Sequence, residues 1–141
     1  DAARRLAIRT GATVLLKGAT TLIAAPHHPL VSVDSGPGWM ATAGSGDVLA
    51  GVLGAVLAGA AARWEREVAC AAAGADSAQG VLVDSVAAGV RLHALAGAYT
   101  AAMPGAGVVG AGGHPVAALD IAAALGPARL ELNWLQAVPH H

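Results

Sequence analysis

The sequence has few of the residues that usually fill or cross-link a protein core. Its 141 residues include no phenylalanine and one cysteine, and aromatic side chains make up 3%. One cysteine cannot build an intrachain disulfide framework, which excludes the class of small disulfide-stapled domains. Charged residues are also scarce, at 12%, whereas 55% of the residues are hydrophobic, so the chain is too apolar to be intrinsically disordered.

Neither sign of charge is in excess. Lys+Arg number 8 and Asp+Glu number 9, for a net charge of -1. This balance gives no electrostatic attraction to nucleic acid or to an anionic membrane. The longest apolar run, residues 48–62, is shorter than the roughly 20 residues of a membrane-spanning helix, and the first residues lack a secretory signal pattern. We therefore expect a cytoplasmic protein without membrane or nucleic-acid partners.

Small residues supply most of the apolar content. Glycine alone accounts for 19 residues, and alanine is abundant throughout. A core of small side chains requires helices and strands to approach closely. The length fits one domain of about 100–200 residues, which at this size buries roughly two thirds of its surface.

The hydrophobic pattern predicts an α/β chain with a few strands followed by several helices. A first helix over residues 1–10 is expected to end at Gly11, and residues 13–16 predict a strand buried on both faces, as in parallel sheets. Two further strands, around a turn, are predicted at 20–25 and 30–33. Beyond a glycine-rich loop the predicted helices are 48–62, 65–74, 86–102 and 116–125, the last stopped by Gly126-Pro127.

The junction of that loop with the next helix, Gly44-Ser45-Gly46-Asp47, carries the most chemical information. Glycines let backbone N–H groups face a ligand, and the helix N-terminus adds unsatisfied donors and a partial positive charge. These features predict a phosphate site, beside which Asp47 could accept a proton from an attacking hydroxyl. The alternative is that Ser45 or Asp47 is only an N-cap, worth about 1 kcal/mol.

Lys17 is the only lysine and ends the first predicted strand. Ligands of open α/β sheets bind off the carboxyl ends of strands, so a cation there could meet a polyphosphate. A solvated lysine at a strand end is the alternative.

Other motif matches predict no site. The G-x-G-x-x-G match at residues 105–110 lacks the preceding strand and following helix of a dinucleotide fingerprint, and the looser match at 36–41 lacks the helix. Cys70 is interpreted as a small buried residue. His27, His28, His93 and His114 have no metal-ligand spacing, so no metal ligand in the chain is predicted.

Two segments together carry a resemblance to a known family. Lys17-Gly18-Ala19-Thr20-Thr21, and the run Gly36-Pro37-Gly38-Trp39-Met40-Ala41-Thr42-Ala43-Gly44-Ser45-Gly46-Asp47, closely resemble the ADP/ATP-dependent NAD(P)H-hydrate dehydratases of the ribokinase-like superfamily. The resemblance continues through Leu92-His93-Ala94-Leu95-Ala96-Gly97. It implies a three-layer α/β/α sandwich, of which this chain would be the C-terminal, nucleotide-binding half, with the N-terminal half absent.

The resemblance also implies a reaction and site residues. The hydroxyl of hydrated NADH or NADPH would be phosphorylated by ADP (or ATP), and phosphate would then leave to restore the double bond. Asp47 would bind the hydrate and act as general base, and the amides of Gly44, Ser45 and Gly46 would stabilise the transferring phosphoryl group. Magnesium is expected with the nucleotide phosphates. The implied nucleotide-binding residues are Lys17, Gly18, Ala19, Thr20, Thr21, Pro37, Gly38, Trp39, Met40, Ala41, Thr42, Ala43, Gly44, Ser45 and Gly46.

Three readings of function remain open. The first is the dehydratase, or the nucleotide half of one. The second is a ribokinase-like vitamin or sugar kinase, which would retain its phosphorylated product. The third is an inactive fragment whose folding needs the missing half. The apolar excess would then belong to a face that packs on that half or supports a homo-oligomer.

Overall fold

The computed structural model of the chain describes residues 2–68, 75–102 and 113–137. They form helix α1 (Ala2–Thr10), a three-stranded sheet, a short 3₁₀ turn (Gly38–Met40) and three long helices. The strands are β1 (Val14–Leu16), β2 (Thr20–Ala24) and β3 (Val31–Asp34), and the helices are α2 (Ser45–Val68), α3 (Ala75–Ala102) and α4 (Ala118–Ala137). The α/β class and the order of strands before helices are confirmed.

The sheet is an antiparallel meander in the order β1-β2-β3. The predicted parallel character of the first strand is wrong for the described residues. Only residues 17–19 separate β1 from β2, and so short a connection joins antiparallel neighbours, since parallel strands need a long crossover. β1 lies at an edge of the sheet and its Leu16 is exposed, so it is not buried on both faces.

Three apolar clusters hold the elements together. The first lies between the sheet and helices α2 and α3 and includes the fully buried Ile23 and Val83. The second joins α3, α4 and the 3₁₀ turn through Met40 and Ile121. In the third, Ala3 and Ala7, one helical turn apart, place α1 on β2. Burial of each large aliphatic side chain contributes about 1.5–3 kcal/mol.

Glycines allow close approach of the elements around α3. A methyl group on Gly89 would lie 2.9 Å from a Leu53 methyl on α2, and one on Gly97 would overlap the Met40 side chain. The expectation of tight packing through small residues is thus supported at these contacts. Gly11, with φ 70°, ends α1 as predicted.

The long helices differ from the predicted ones in their bounds. The helices predicted at 48–62 and 65–74 form one helix as far as Val68, because no glycine or proline interrupts residues 60–68. Helix α3 begins at Ala75 rather than at 86. Helix α4 continues through Gly126 and Pro127, so the predicted stop there is wrong.

Two of these helices are long and apolar enough to cross a membrane, judged by length and composition alone. They are Ser45–Arg66, of which 22% is buried, and Ala78–Ala102, of which 50% is buried. Core helices of soluble proteins satisfy the same criteria, so the observation is weak evidence for a membrane. The expectation that the apolar helix around residues 48–62 is too short to cross a membrane is therefore wrong, because the apolar stretch of this helix has 22 residues from Ser45 to Arg66.

Candidate active site

A pocket of about 440 Å³ lies between the two loops that the sequence singles out. One wall is Lys17, Gly18 and Ala19, which connect β1 to β2, and the other is formed by residues 35–38 with Met40 and Ala41. The volume falls within the range of about 300–1,000 Å³ that small-molecule sites occupy. The fold therefore brings together two segments that are separate in the sequence.

Hydrogen bonds fix one loop against the other. The Ser35 N–H donates to the Ala19 carbonyl at 3.1 Å, and the hydroxyls of Thr21 and Ser35 are hydrogen-bonded at 2.6 Å. Thr21 is buried, whereas Thr20 is exposed on β2 opposite Asp34. Thr21 therefore acts by holding the loops in place.

Gly36 occupies a position that only glycine fits. Its φ is 85°, in the left-handed region, and a methyl group there would lie 2.9 Å from both the Ala94 carbonyl oxygen on α3 and the Met40 sulfur. The Gly36 N–H donates to the Asp34 carboxylate at 2.9 Å. This wall of the pocket therefore packs directly against the α3 backbone.

Helix α2 begins at Ser45, four residues beyond Ala41 and within about 14 Å along the chain. Gly44 precedes the helix with φ 84°, and its carbonyl accepts the N–H groups of Asp47 and Val48, each at 3.1 Å. The Ser45 N–H donates to the Thr42 carbonyl at 3.2 Å. Among the residues described, the N–H groups of Gly44 and Gly46 have no hydrogen-bond partner, which leaves them as donors for an anion.

The N-cap interpretation of Ser45 and Asp47 is not what the structure shows. Gly44 holds the cap position, and neither side chain makes a capping hydrogen bond within the described part of the chain. In α4, by contrast, the Asp120 carboxylate accepts the Ala117 N–H at 2.9 Å and caps that helix. Asp47 is exposed in the first turn of α2, where it can reach a ligand.

A buried histidine lies behind this helix terminus. The Nε2 of His93 on α3 is 2.9 Å from the Ser45 carbonyl oxygen, and the residue is 3% exposed. Burial lowers the pKa of His93, the Ser45 hydrogen bond raises it, and the charge of Lys17 lowers it. The largest of these effects is burial, so the pKa of His93 is lowered from its ordinary value of 6.5.

The remaining predicted nucleotide-binding residues have different environments. Trp39 is 43% exposed, whereas Met40 is buried in the cluster with α3 and α4, although it also lines the pocket. Ser35, Gly36 and His93 were missed as site residues. A histidine in a helix of apolar and small residues was the available signal, because a buried imidazole must find a hydrogen-bond partner.

The other features that could form a site provide weaker evidence of function. The part of the chain with described coordinates has no group of three His, Cys, Asp or Glu side chains that could hold a metal ion. The glycine motif at 105–110 and Cys70 lie outside the described residues. A larger groove of about 620 Å³ runs between α2 and α4, is mainly apolar, and includes Arg63 and Arg129.

Comparisons with known proteins point to one family. A family model described as NAD(P)H-hydrate dehydratase matches residues 1–111. The ADP-dependent (S)-NAD(P)H-hydrate dehydratase of Neisseria meningitidis serogroup B is 41% identical over 96 residues, which cover 68% of this chain and 31% of the relative.

The bifunctional NAD(P)H-hydrate repair enzymes of Mycobacterium leprae and Escherichia coli are 58% and 47% identical over 57 and 55 residues. These matches cover 40% and 39% of the chain, and 12% and 11% of the relatives. The chain thus spans less than a third of the curated relatives it matches, and no solved structure matches it. Because the family model covers more than half of its length, the chain belongs to the NAD(P)H-hydrate dehydratase family.

Proposed function

We propose that this chain is the nucleotide-binding part of an ADP- (or ATP-) dependent dehydratase that repairs the S form of hydrated NADH or NADPH. The observation that carries this proposal is the pocket between residues 17–19 and 35–41, together with the nearby N-terminus of α2, which has no side-chain cap among the described residues. Family membership supports the activity, and the relative from Neisseria is named as ADP-dependent.

The proposed reaction has two stages. Asp47 accepts the proton of the hydrate hydroxyl as that oxygen attacks the terminal phosphorus of ADP, and AMP leaves. The N–H groups of Gly44 and Gly46 donate to the phosphoryl oxygens while negative charge builds on them. The phosphorylated ring then loses phosphate, together with a proton from the neighbouring ring carbon, which restores the double bond.

The other segments hold the nucleotide. Lys17, which lines the pocket, would pair with a phosphate, and residues 35–38 with Met40 and Ala41 would form the second wall around the nucleotide. The Ser45 amide joins the anion hole only if it exchanges its 3.2 Å bond to Thr42 for the ligand. The described residues offer no ligand set for Mg²⁺, so we propose that the ion comes with the nucleotide phosphates and assign it no step.

We further propose that the chain is the C-terminal half of a ribokinase-like α/β/α domain. The loops that follow β1 and β3 line the pocket, and among the described residues β1 pairs with β2 alone, so further strands could pair along its other edge. The hydrate-binding surface would then come largely from the other half. This arrangement accounts for the short span of the relatives that the chain covers.

The test is regeneration of NADH absorbance at 340 nm from NADH hydrate, ADP and Mg²⁺. We expect no turnover by the purified chain, and turnover when the missing half of the domain is added or fused. Full turnover by the chain alone would contradict the dependence on a second half. Accumulation of a phosphorylated hydrate or of another phosphorylated metabolite without phosphate release would favour the kinase alternative, and no turnover by a complete domain would overturn the dehydratase.

A further inference from the structure

His93 is a polar group inside the molecule with one specific partner. It lies on α3, is 3% exposed, and its Nε2 is 2.9 Å from the carbonyl oxygen of Ser45, the first residue of α2. A carbonyl oxygen can only accept, so Nε2 must carry the hydrogen. The hydrogen bond therefore fixes the tautomer of the imidazole and joins two elements that are 48 residues apart.

Because the peptide unit is planar, a hydrogen bond to the Ser45 carbonyl also sets the direction of the next N–H group. In a trans peptide the C=O of Ser45 and the N–H of Gly46 point in opposite directions, and no cis peptide is present in the described residues. When His93 holds the Ser45 carbonyl toward the interior, the Gly46 N–H faces outward. That N–H is one of the two donors at the start of α2 that have no partner in the described part of the chain.

Apart from the hydrogen bonds of the first turn of α2 itself, few contacts among the described residues restrain this peptide. A methyl group on Gly46 would meet no atom within 4 Å, so no side chain packs against that position from outside. The preceding turn bond, from the Ser45 N–H to Thr42, is 3.2 Å long. Gly44, two residues before Gly46, lies close to Ala118 of α4, because a methyl group added to Gly44 would be 3.0 Å from the Ala118 Cβ.

We propose that His93 is a positioning residue: its neutral imidazole, through the Nε2–H bond to Ser45, keeps the Gly46 N–H directed at the phosphoryl group that the α2 terminus binds. The inference rests on the proposed function for the nature of the anion. The bond itself rests on the geometry alone.

The environment of the imidazole is consistent with a neutral side chain. Burial lowers its pKa, and so does the charge of Lys17, against the opposing effect of the Ser45 bond.

The first experiment measures the tautomer in the wild-type chain. Nitrogen shifts of ¹⁵N-labelled histidine at pH 7.5 are expected to show His93 neutral and protonated at Nε2. A neutral ring protonated at Nδ1, or a doubly protonated ring, would overturn the proposal. This readout does not depend on any ligand or activity.

The second experiment follows the Gly46 amide while ADP with Mg²⁺ is added to the wild type, His93→Gln and His93→Leu. The glutamine amide nitrogen can replace Nε2, so we expect the Gly46 shift change to be kept in His93→Gln and to fall at least threefold in His93→Leu. His93→Asn, whose amide is too short to reach Ser45, replaces the leucine variant if that variant does not fold.

The outcomes separate the two claims. A wild-type response at Gly46 that persists unchanged in a folded leucine or asparagine variant would overturn the role of His93. No response of Gly46 in the wild type would overturn the proposed anion site, and with it the role of His93 in that site. In that case the tautomer measurement still tests the Ser45 bond.

Discussion

At the scale of single residues, the candidate site depends on backbone donors and one exposed carboxylate. Within the described ranges the N–H groups of Gly44 and Gly46 have no hydrogen-bond partner, and Asp47 follows them in the first turn of α2. The helix terminus contributes a partial positive charge at the same place. Chemistry at this site therefore needs few side chains, which fits a sequence poor in charged residues.

Asp47→Asn is expected to remove the general base and leave the nucleotide site intact. In a complete domain, turnover should fall by about 100- to 10,000-fold, the range for loss of a proton-transfer group. The affinity for ADP, measured by calorimetry, should stay within about threefold. Asp84→Asn, which neutralises an exposed carboxylate on α3, is the matched control and should change neither value.

The histidine behind the site predicts a dependence of stability on pH. Because the pKa of His93 is lowered in the folded state, the unfolded chain binds more protons between that pKa and the ordinary value of about 6.5. Stability should therefore be complete above pH 6.5 and decrease as the pH falls below it.

Urea unfolding of the wild type and of His93→Gln between pH 5 and 8 tests this dependence. The glutamine variant should show a smaller loss of unfolding free energy on acidification, since the substitution removes the titration of His93 alone. Identical pH profiles would show that His93 does not contribute.

At the scale of elements, the site is positioned by the contact of the loop after β3 with α3. Gly36 has φ 85° and lies against the Ala94 carbonyl, so the pocket wall cannot move away from the helix without losing this fit. Gly97 likewise admits Met40. Helix α3 thus supports both the pocket wall and, through His93, the start of α2.

Gly36→Ala should destabilise the protein and weaken nucleotide binding together. The added methyl group would be strained at this φ and would meet the Ala94 oxygen, for a loss of about 1–3 kcal/mol. Gly54→Ala on α2, where an added methyl group meets no atom within 4 Å, should be neutral or stabilise by up to about 1 kcal/mol. Thermal unfolding and ADP calorimetry measure both effects, and equal stability of the two variants would contradict the argument.

Pro127→Ala should stabilise α4. Pro127 lies inside this helix, where proline removes one backbone hydrogen bond and costs up to about 3 kcal/mol. The expected result is a higher melting temperature with equal or greater helical circular dichroism. Gly126→Ala, one residue earlier and also exposed, should raise the free energy of unfolding by a smaller amount, about 1 kcal/mol. A Pro127→Ala variant that melts at the same temperature as the wild type, or lower, would contradict a cost of the proline to this helix.

The sequence was sufficient to predict the local features of the fold. It was insufficient for features that depend on packing between distant residues. The hairpin strands, the Gly11 helix end and the loop before α2 follow from turn residues and side-chain pattern. The continuation of α4 past Pro127 does not, because it depends on Ala124 and Ala128 packing in the same cluster on either side of the proline. The partner of His93 is 48 residues away, and no local pattern identifies it.

At the scale of the whole molecule, the described part of the chain leaves several apolar side chains exposed and one edge of β1 without a paired strand. Leu16 on β1 is 47% exposed, and Leu119 and Leu130 on α4 are 81% and 71% exposed. Exposed apolar side chains of this size and a free sheet edge are typical of surfaces that pair with further structure. They agree with our proposal that the chain is one half of a domain.

The central claim is that residues 17–19, residues 35–41 and the α2 terminus form one nucleotide site. Its most direct test is a backbone amide map of the ¹⁵N-labelled chain during titration with ADP and Mg²⁺. We expect the largest shift changes on Gly18, Ala19, Gly38, Gly44 and Gly46, with little change in α1. Changes confined to the α2–α4 groove around Arg63 and Arg129, or no saturable change anywhere, would contradict it.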